Sequence, residues 1–293
     1  MTDTTLFLSR RERFASVGST NDVARSWLEA GTPEVCLAVA DEQTAGRGRE
    51  GRTWTAPPGV GLLLSLGFRP TWLEPDRVWR LAAIAASAMA EAAEEVAGLA
   101  DGTIRLKWPN DLVAGGTTAS KLGGLLGETV GLGTDDPRAI VGIGVNANWD
   151  RPGFPPALAD VMTSVRELAD GRPIDPGAVL EAFLTRIEAR TIDLRAGRFD
   201  AAGWAARQVT TGRAVQLQGP DGESSYVRVL GVDPDGGGLI VDDPGTVGGR
   251  RTVMTGEIVH LRLADGSAAD GLAEAASARQ APAGPPAVAS GQV

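Results

Sequence analysis

Gly46-Arg47-Gly48-Arg49-Glu50-Gly51-Arg52-Thr53-Trp54-Thr55-Ala56-Pro57-Pro58-Gly59 is the stretch on which the fold turns. Its first six residues match G-x-G-x-x-G literally. The dinucleotide-binding reading of that pattern needs a strand before it and a helix opening directly after it. An apolar run, VCLAVA (35–40), does precede it, but Pro57-Pro58-Gly59 forbids the helix. A second near-match, Gly142-Ile143-Gly144-Val145-Asn146-Ala147, fails in the same way because Asp150-Arg151-Pro152-Gly153 follows. No G-x-x-x-x-G-K-[ST] occurs, so a P-loop is excluded as well. What remains is a Gly-spaced loop with three arginines, Arg47, Arg49 and Arg52, whose guanidinium forks suit phosphate and carboxylate oxygens. Composition alone favours a solvated basic loop; the rest of the chain decides otherwise.

Working outward, Ser19-Thr20-Asn21 offers N-cap chemistry ahead of a helix over 22–30, which Gly31-Thr32-Pro33 stops. Strands are predicted over 35–40, 62–68, 103–108, 111–114, 121–129 and 139–146. Pro109-Asn110 forms a tight turn, and Gly115-Gly116 a hairpin. Residues 75–98 read as a long Ala-rich amphipathic helix, and Asp175-Pro176 opens another of about 20 residues. After Thr210 the texture changes to short alternating strands separated by PDG, DPDGGG and DPGTVGG turns, the pattern of a small all-β unit. From Ala264 onward the chain is Ala, Gly, Ser and Pro with almost no large apolar residue, a composition that predicts disorder.

The chain has 293 residues, 43% hydrophobic and 22% charged, enough to build a core. Of its 28 basic residues only Lys107 and Lys121 are lysine, so 28 − 2 = 26 are arginine. One His (His260) and one Cys (Cys36) exclude a disulfide framework and a Cys/His zinc site. His260 falls in the all-β region and reads as structural. The net charge of −9 argues against a duplex-DNA binder. The start carries no signal peptide, and the longest apolar stretch, 78–96, is broken by Arg80, Glu91, Glu94 and Glu95. A cytoplasmic protein without a membrane span is expected.

Two further clusters carry chemistry. Lys107-Trp108-Pro109-Asn110-Asp111 packs a cation, an indole, a rigid turn, an amide and a carboxylate into five residues. Asp111 is placed to hold Mg²⁺ beside a nucleotide phosphate. Lys121 opens the Gly-rich run Lys121-Leu122-Gly123-Gly124-Leu125-Leu126-Gly127-Glu128. A composition that almost always chooses arginine has kept lysine at these two places, and a compact ammonium differs from a guanidinium where a small oxyanion must be reached.

In this order, Ser19-Thr20-Asn21, Gln43, the 46–51 loop, Trp54, the 107–111 cluster, the 121–128 run and the 142–146 strand end resemble the biotin protein ligases, or biotin–[acetyl-CoA-carboxylase] ligases. The likeness runs from about residue 16 to 263. It implies an α/β (α+β) catalytic domain with a mixed sheet, followed by a small C-terminal SH3-like β-barrel. The implied division is an N-terminal extension (1–13), the catalytic biotin- and ATP-binding domain (14–210), the barrel (211–263) and a disordered tail (264–293). The implied activity is ATP-dependent formation of biotinyl-5′-AMP, then transfer of biotin to a lysine of a biotin carboxyl carrier domain. Mg²⁺ is the implied cofactor.

The same likeness implies that Ser19, Thr20, Asn21 and Gln43 line the biotin site. Arg47, Gly48 and Arg49 hold the adenylate, and Lys121 contacts the biotin carboxylate and the α-phosphate. Lys107, Asn110, Asp111 and Asn146 serve the nucleotide and metal side, with Trp54 walling the site and Arg47 and Arg49 shared between both substrates. Asp111 doubles as the candidate base for the acceptor lysine. Where the family loop usually carries R, Q or K, this chain has Glu50, which lowers the loop's positive charge. Rival readings are a lipoate- or octanoate-transferring ligase of related fold and a non-catalytic biotin-binding module. A biotin-operon repressor is a further rival, but only 18 residues precede Ser19 where a winged helix needs roughly 60. The type without an N-terminal DNA-binding domain is therefore expected, and DNA is not an expected partner.

Overall fold

The computed structural model describes residues 7–115, 119–219, 222, 224–243, 248–254 and 257–261. The first part carries β1 (Arg10–Phe14), α1 (Thr20–Glu29), β2 (Cys36–Ala40), β3 (Gly61–Phe68), α2 (Trp79–Ala97), β4 (Ile104–Lys107), β5 (Asp111–Ala114), β6 (Ser120–Val130), β7 (Arg138–Asn146), α3 (Val165–Leu168), α4 (Pro176–Arg195) and α5 (Ala201–Ala206). The second carries β8 (Ala214–Gln218), β9 (Ser224–Val232), β10 (Leu239–Asp242), β11 (Arg250–Val253) and β12 (Glu257–Leu261).

Seven strands form one sheet in the order β1-β2-β3-β7-β6-β5-β4. β1 runs parallel to β2 and every other pair is antiparallel, so the sheet is mixed, as expected. Period-2 alternation sorts the strand residues onto two covered faces. Leu37, Val39, Leu62, Leu64, Leu66 and Val141 pack with Leu81 and Ala85 of α2 and with Phe183 and Ile187 of α4. Cys36, Ala38 and Ile140 pack instead against Ala24, Trp27 and Leu28 of α1. All eight residues of β3 are buried because both faces are covered. The alanines of α2 bring that helix close to the sheet and to α4, and Gly98, at φ 65, ends it in the left-handed conformation glycine favours. The Asp175 side chain caps α4 by accepting from the Gly177 amide at 2.8 Å, with Pro176 in the first turn.

A buried ion pair ties the far side together. Glu94 of α2, 3% exposed, accepts from the Ile104 amide at 2.7 Å and from both terminal nitrogens of Arg207 at 3.2 and 3.1 Å.

Three expectations are refined. α1 begins at Thr20, and although Ser19 occupies the N-cap its side chain makes no capping bond. Residues 75–98 divide into a short 3₁₀ turn, Pro75–Arg77, and α2 proper. The first thirteen residues carry no periodic signal, yet Arg10–Phe14 supplies the parallel edge strand β1. The C-terminal unit is an antiparallel sheet in the order β11-β10-β9-β8-β12. Among the described residues that order is open, with no pairing of β11 to β12 that would close the expected barrel. The predicted tail and Gly116 of the predicted hairpin lie outside the described residues, as does the side chain of His260. No described helix is long and apolar enough to cross a membrane. The C-terminal unit packs on the first part: Trp108 Nε1 donates to the Gly237 carbonyl at 3.0 Å, Arg80 donates to the Pro234 carbonyl at 3.2 Å, and the Trp79 ring lies where a Gly237 side chain would stand.

Candidate active site

The α1 face of the sheet is left uncovered beside the helix N-terminus, and there the chain builds a cavity. α1 brings Ser19, Thr20 and Asn21, and the loop between β2 and β3 brings Gln43, Arg47, Gly48, Arg49, Arg52 and Trp54. The β4–β5 turn adds Lys107, Asn110 and Asp111, β6 adds Lys121, and β7 forms the floor through Gly142 and Gly144. The glycines are required by close approach. A Cβ at Gly144 would stand 2.7 Å from Trp54 Cε2, and one at Gly142 would stand 3.0 Å from Asn21 Cγ.

Neutral hydrogen-bonding groups form one cluster. Thr20 donates from its amide at 2.7 Å and its hydroxyl at 3.0 Å to Gln43 Oε1. Ser65, on β3 and fully buried, places its hydroxyl 2.7 Å from Thr20 Oγ1 and 2.6 Å from Asn21 Oδ1. Gln43 itself lines the cavity, with Oε1 taken up by these two bonds. A second cluster is charged. Lys121 Nζ lies 2.6 Å from Asp111 Oδ1 and 5.9 Å from the centre of the Trp54 ring. The Asn110 side-chain amide donates to the Leu125 carbonyl at 2.9 Å, and the Asn110 main-chain carbonyl accepts from the Leu125 amide at 2.8 Å, locking the turn to β6.

The arginine loop folds as a small hairpin, with Arg47 bridged to Thr53 and the Trp54 amide bonded to the Gly46 carbonyl at 2.9 Å. Arg47 forks onto Asp22 of α1 at 2.7 and 2.8 Å and reaches Glu128 of β6 at 3.1 Å. That hydrogen bond from Arg47 is the main reason the Asp22 carboxyl is held below the usual carboxylate range. Glu50 sits at φ 57, in the left-handed region, at the tip of the loop.

This cavity, about 130 Å³, continues into a wider one of about 520 Å³ between the sheet and α2. Both are lined by Arg49, Lys107, Trp108, Asn110, Asp111 and Leu125, so they are two chambers of one site. Of the site residues predicted from sequence, all but one line the inner chamber. The exception is Asn146, 4% exposed, whose amide donates to the Thr163 carbonyl at 3.0 Å. Sequence reasoning singles out neither Ser65 nor Asp22, and it quotes Glu128 only as the end of the 121–128 run, with no role. Ser65 has one usable signal, a lone hydroxyl inside the apolar strand LLLSLGF. Cys36 is buried among α1 and β2 side chains, which pushes its thiol up to about 11, so it is an inert core residue.

A hydroxyl–amide cluster and a lysine–carboxylate pair thus share one cavity with the arginine loop. Comparison with known proteins gives the family. Residues 14–146 match the model of the biotin/lipoate A/B protein ligase family, and the chain belongs to that family. Its relatives place it nearer the biotin branch. It is 34% identical over 253 residues to the biotin–[acetyl-CoA-carboxylase] ligase of Mycobacterium tuberculosis, covering 85% of this chain and 88% of that protein. It is 32% identical over 222 residues to the bifunctional ligase/repressor BirA of Bacillus subtilis, covering 75% of this chain but 66% of that longer protein, just under two thirds of its length. Among solved structures, the Aquifex aeolicus biotin protein ligase in complex with biotin and ATP superposes with a TM-score of 0.69 at 26% identity, covering 87% of this chain and 99% of that one.

Proposed function

We propose that the protein activates biotin with ATP to biotinyl-5′-adenylate and transfers the biotinyl group to a lysine of a carboxylase's biotin carboxyl carrier domain. The observation that carries this reading is the pairing, in one cavity, of a neutral cluster that matches a ureido ring with an ammonium, Lys121, that matches a carboxylate. Thr20, Asn21, Gln43 and Ser19 take the ureido group by hydrogen bonds. The wider chamber takes the nucleotide between α2, the 108–110 turn and the C-terminal sheet, which we read as an SH3-like barrel.

A carboxylate is a nucleophile at neutral pH, so the first step needs alignment and charge neutralisation rather than a base. The biotin carboxylate oxygen attacks the α-phosphorus, the bond to the β-phosphate oxygen breaks, and pyrophosphate leaves. Lys121 exchanges Asp111 for the biotin carboxylate and the α-phosphate, while Arg47 and Arg49 offset charge on the phosphates. In the second step the acceptor amine attacks the acyl carbon, the acyl–phosphate bond breaks and AMP leaves. Asp111, released from Lys121, takes the proton. Asp111 is the one carboxylate lining the inner chamber and lines the wider one as well, and the described residues hold no cluster of three or more potential metal ligands. That fits Mg²⁺ bound mainly through substrate phosphates with Asp111 as protein ligand. The metal would supply charge neutralisation at the phosphates, in the half-reaction where Asp111 is not yet a base. Cytoplasmic ATP and carboxylases make that compartment the place of action.

Pyrophosphate release with biotin, lipoate or octanoate as the acid tests the assignment. Release dependent on biotin is expected; release with lipoate or octanoate but not biotin overturns it.

A further inference from the structure

Trp108 is buried just ahead of the turn that carries Asn110 and Asp111. A buried indole N–H needs a partner, and this one reaches out of its own part of the chain. Trp108 Nε1 donates at 3.0 Å to the carbonyl of Gly237, in the turn between β9 and β10. That turn, 233–238, is fixed from within. The Gly237 amide donates to the Asp233 carbonyl at 2.9 Å, the Asp233 amide to the Gly238 carbonyl at 2.8 Å, and the Asp235 amide to Asp233 Oδ1 at 3.0 Å. It is also seated on α2, where Arg80 donates to the Pro234 carbonyl at 3.2 Å. Gly237 lies at φ 75, and a Cβ there would stand 2.5 Å from Trp79 Cδ2, so conformation and space both ask for glycine.

The other side of the 108–110 turn is held by Asn110, bonded twice to Leu125 of β6. Lys107 of β4 pairs with Asp111 of β5, so only three residues separate the paired strands and a tilt of the Trp108 ring is passed directly to Asp111. Asp111 in turn lies 2.6 Å from Lys121 Nζ. We propose that Gly237 and Trp108 are positioning residues: the C-terminal turn latches the Trp108 indole and thereby sets where Asp111 and Lys121 stand. The C-terminal sheet is then a built-in part of the site rather than an appendage. The kinetic half of this inference rests on the proposed function; the latch itself does not.

Trp108→Phe keeps a ring in the core and deletes the N–H. Gly237→Ala drives the carbonyl off its line through the Trp79 contact and the positive φ. Hydrogen exchange of the ligand-free protein reads the latch directly. Both variants are expected to speed exchange in the 107–111 segment about tenfold, the size of one lost buried hydrogen bond, with exchange in β2 unchanged. Biotin-dependent pyrophosphate release is expected to lose about tenfold in kcat in each variant, as for a small misplacement of Asp111 and Lys121. Biotin affinity and stoichiometry, which count folded protein, stay as in wild type, because Thr20 and Gln43 lie outside this chain of contacts. The double variant falls no further than either single one, whereas independent roles would multiply to about 100-fold. Unchanged exchange at 107–111 in Trp108→Phe overturns the latch. Faster exchange with an unchanged kcat, losses that multiply, or a rate that falls only in step with biotin stoichiometry overturns the positioning role. A folded wild type that releases no pyrophosphate with biotin refutes the ligase reading, while the exchange data still judge the latch.

Discussion

Replacing Gly142 with alanine drives a methyl group into the amide of Asn21. The new Cβ would stand 3.0 Å from Cγ and 3.2 Å from Nδ2, with Oδ1 nearer still. Asn21 has nowhere to retreat: it is 4% exposed, its Oδ1 is 2.6 Å from the Ser65 hydroxyl, and its Nδ2 is 3.4 Å from the Leu126 carbonyl. To reach ordinary contact distance the amide oxygen must move by more than about 1 Å, which breaks the bond to a fully buried hydroxyl. Losing one buried hydrogen bond costs about 1–3 kcal/mol. If Asn21 lines the biotin site, that loss appears as weaker binding by about 5- to 150-fold, at about 1.4 kcal/mol per decade. Calorimetric titration with biotin measures it. Gly231→Ala is the control, because a Cβ there meets nothing within 4 Å and the residue lies in β9, away from the cavity. A Gly142→Ala protein that binds biotin like the control, with an unchanged melting temperature, refutes the placement of Asn21 against the ligand.

Lys121→Arg keeps the charge but replaces an ammonium 2.6 Å from Asp111 with a larger planar group. Adenylation measured by pyrophosphate release should fall on the order of 100-fold, as for a misplacement of about 1 Å, and near-wild-type release contradicts the role of Lys121. Glu94→Gln removes the buried carboxylate of Arg207, 9% exposed, which keeps its bond to the exposed Asp101, and urea unfolding should show a loss of about 1–3 kcal/mol; no measurable loss contradicts it. The Asp22 carboxyl is held below its ordinary value of 3.8 by its hydrogen bond from Arg47, so its pairing stabilises the fold above that pH and is lost as pH falls through the lowered value. The stability difference between wild type and Asp22→Asn should therefore be flat near neutrality and close on acidification; a gap that widens in acid contradicts the pairing.

Local punctuation made much of the architecture legible. Pro57-Pro58-Gly59 removed the helix that a dinucleotide fold requires, and the PDG and DPDGGG turns marked off a separate β unit. Asp175-Pro176 located the start of α4. β1 was hidden because an edge strand of RRERF carries charge rather than apolar alternation, and its pairing partner β2 supplies the burial. The cavity residues were legible as motifs because each group is contiguous in sequence. What the motifs do not carry is the third dimension. Ser65 supports the cavity residues Thr20 and Asn21 only because period-2 alternation turns it toward α1, while Leu64 and Leu66 turn toward α2. Asp22 and Glu128 meet Arg47 only after β6 and α1 are folded against the same loop. Asn146 shows the converse: it ends a motif in sequence, but its amide is spent on the Thr163 carbonyl.

Intact-mass and peptide mass spectrometry of a biotin carboxyl carrier domain, after incubation with this protein, biotin, ATP and Mg²⁺, tests the central claim most directly. The account predicts a gain of one biotinyl group on a single lysine, dependent on ATP and accompanied by AMP and pyrophosphate. A carrier of unchanged mass, in the presence of a protein that is folded and binds biotin, would contradict it.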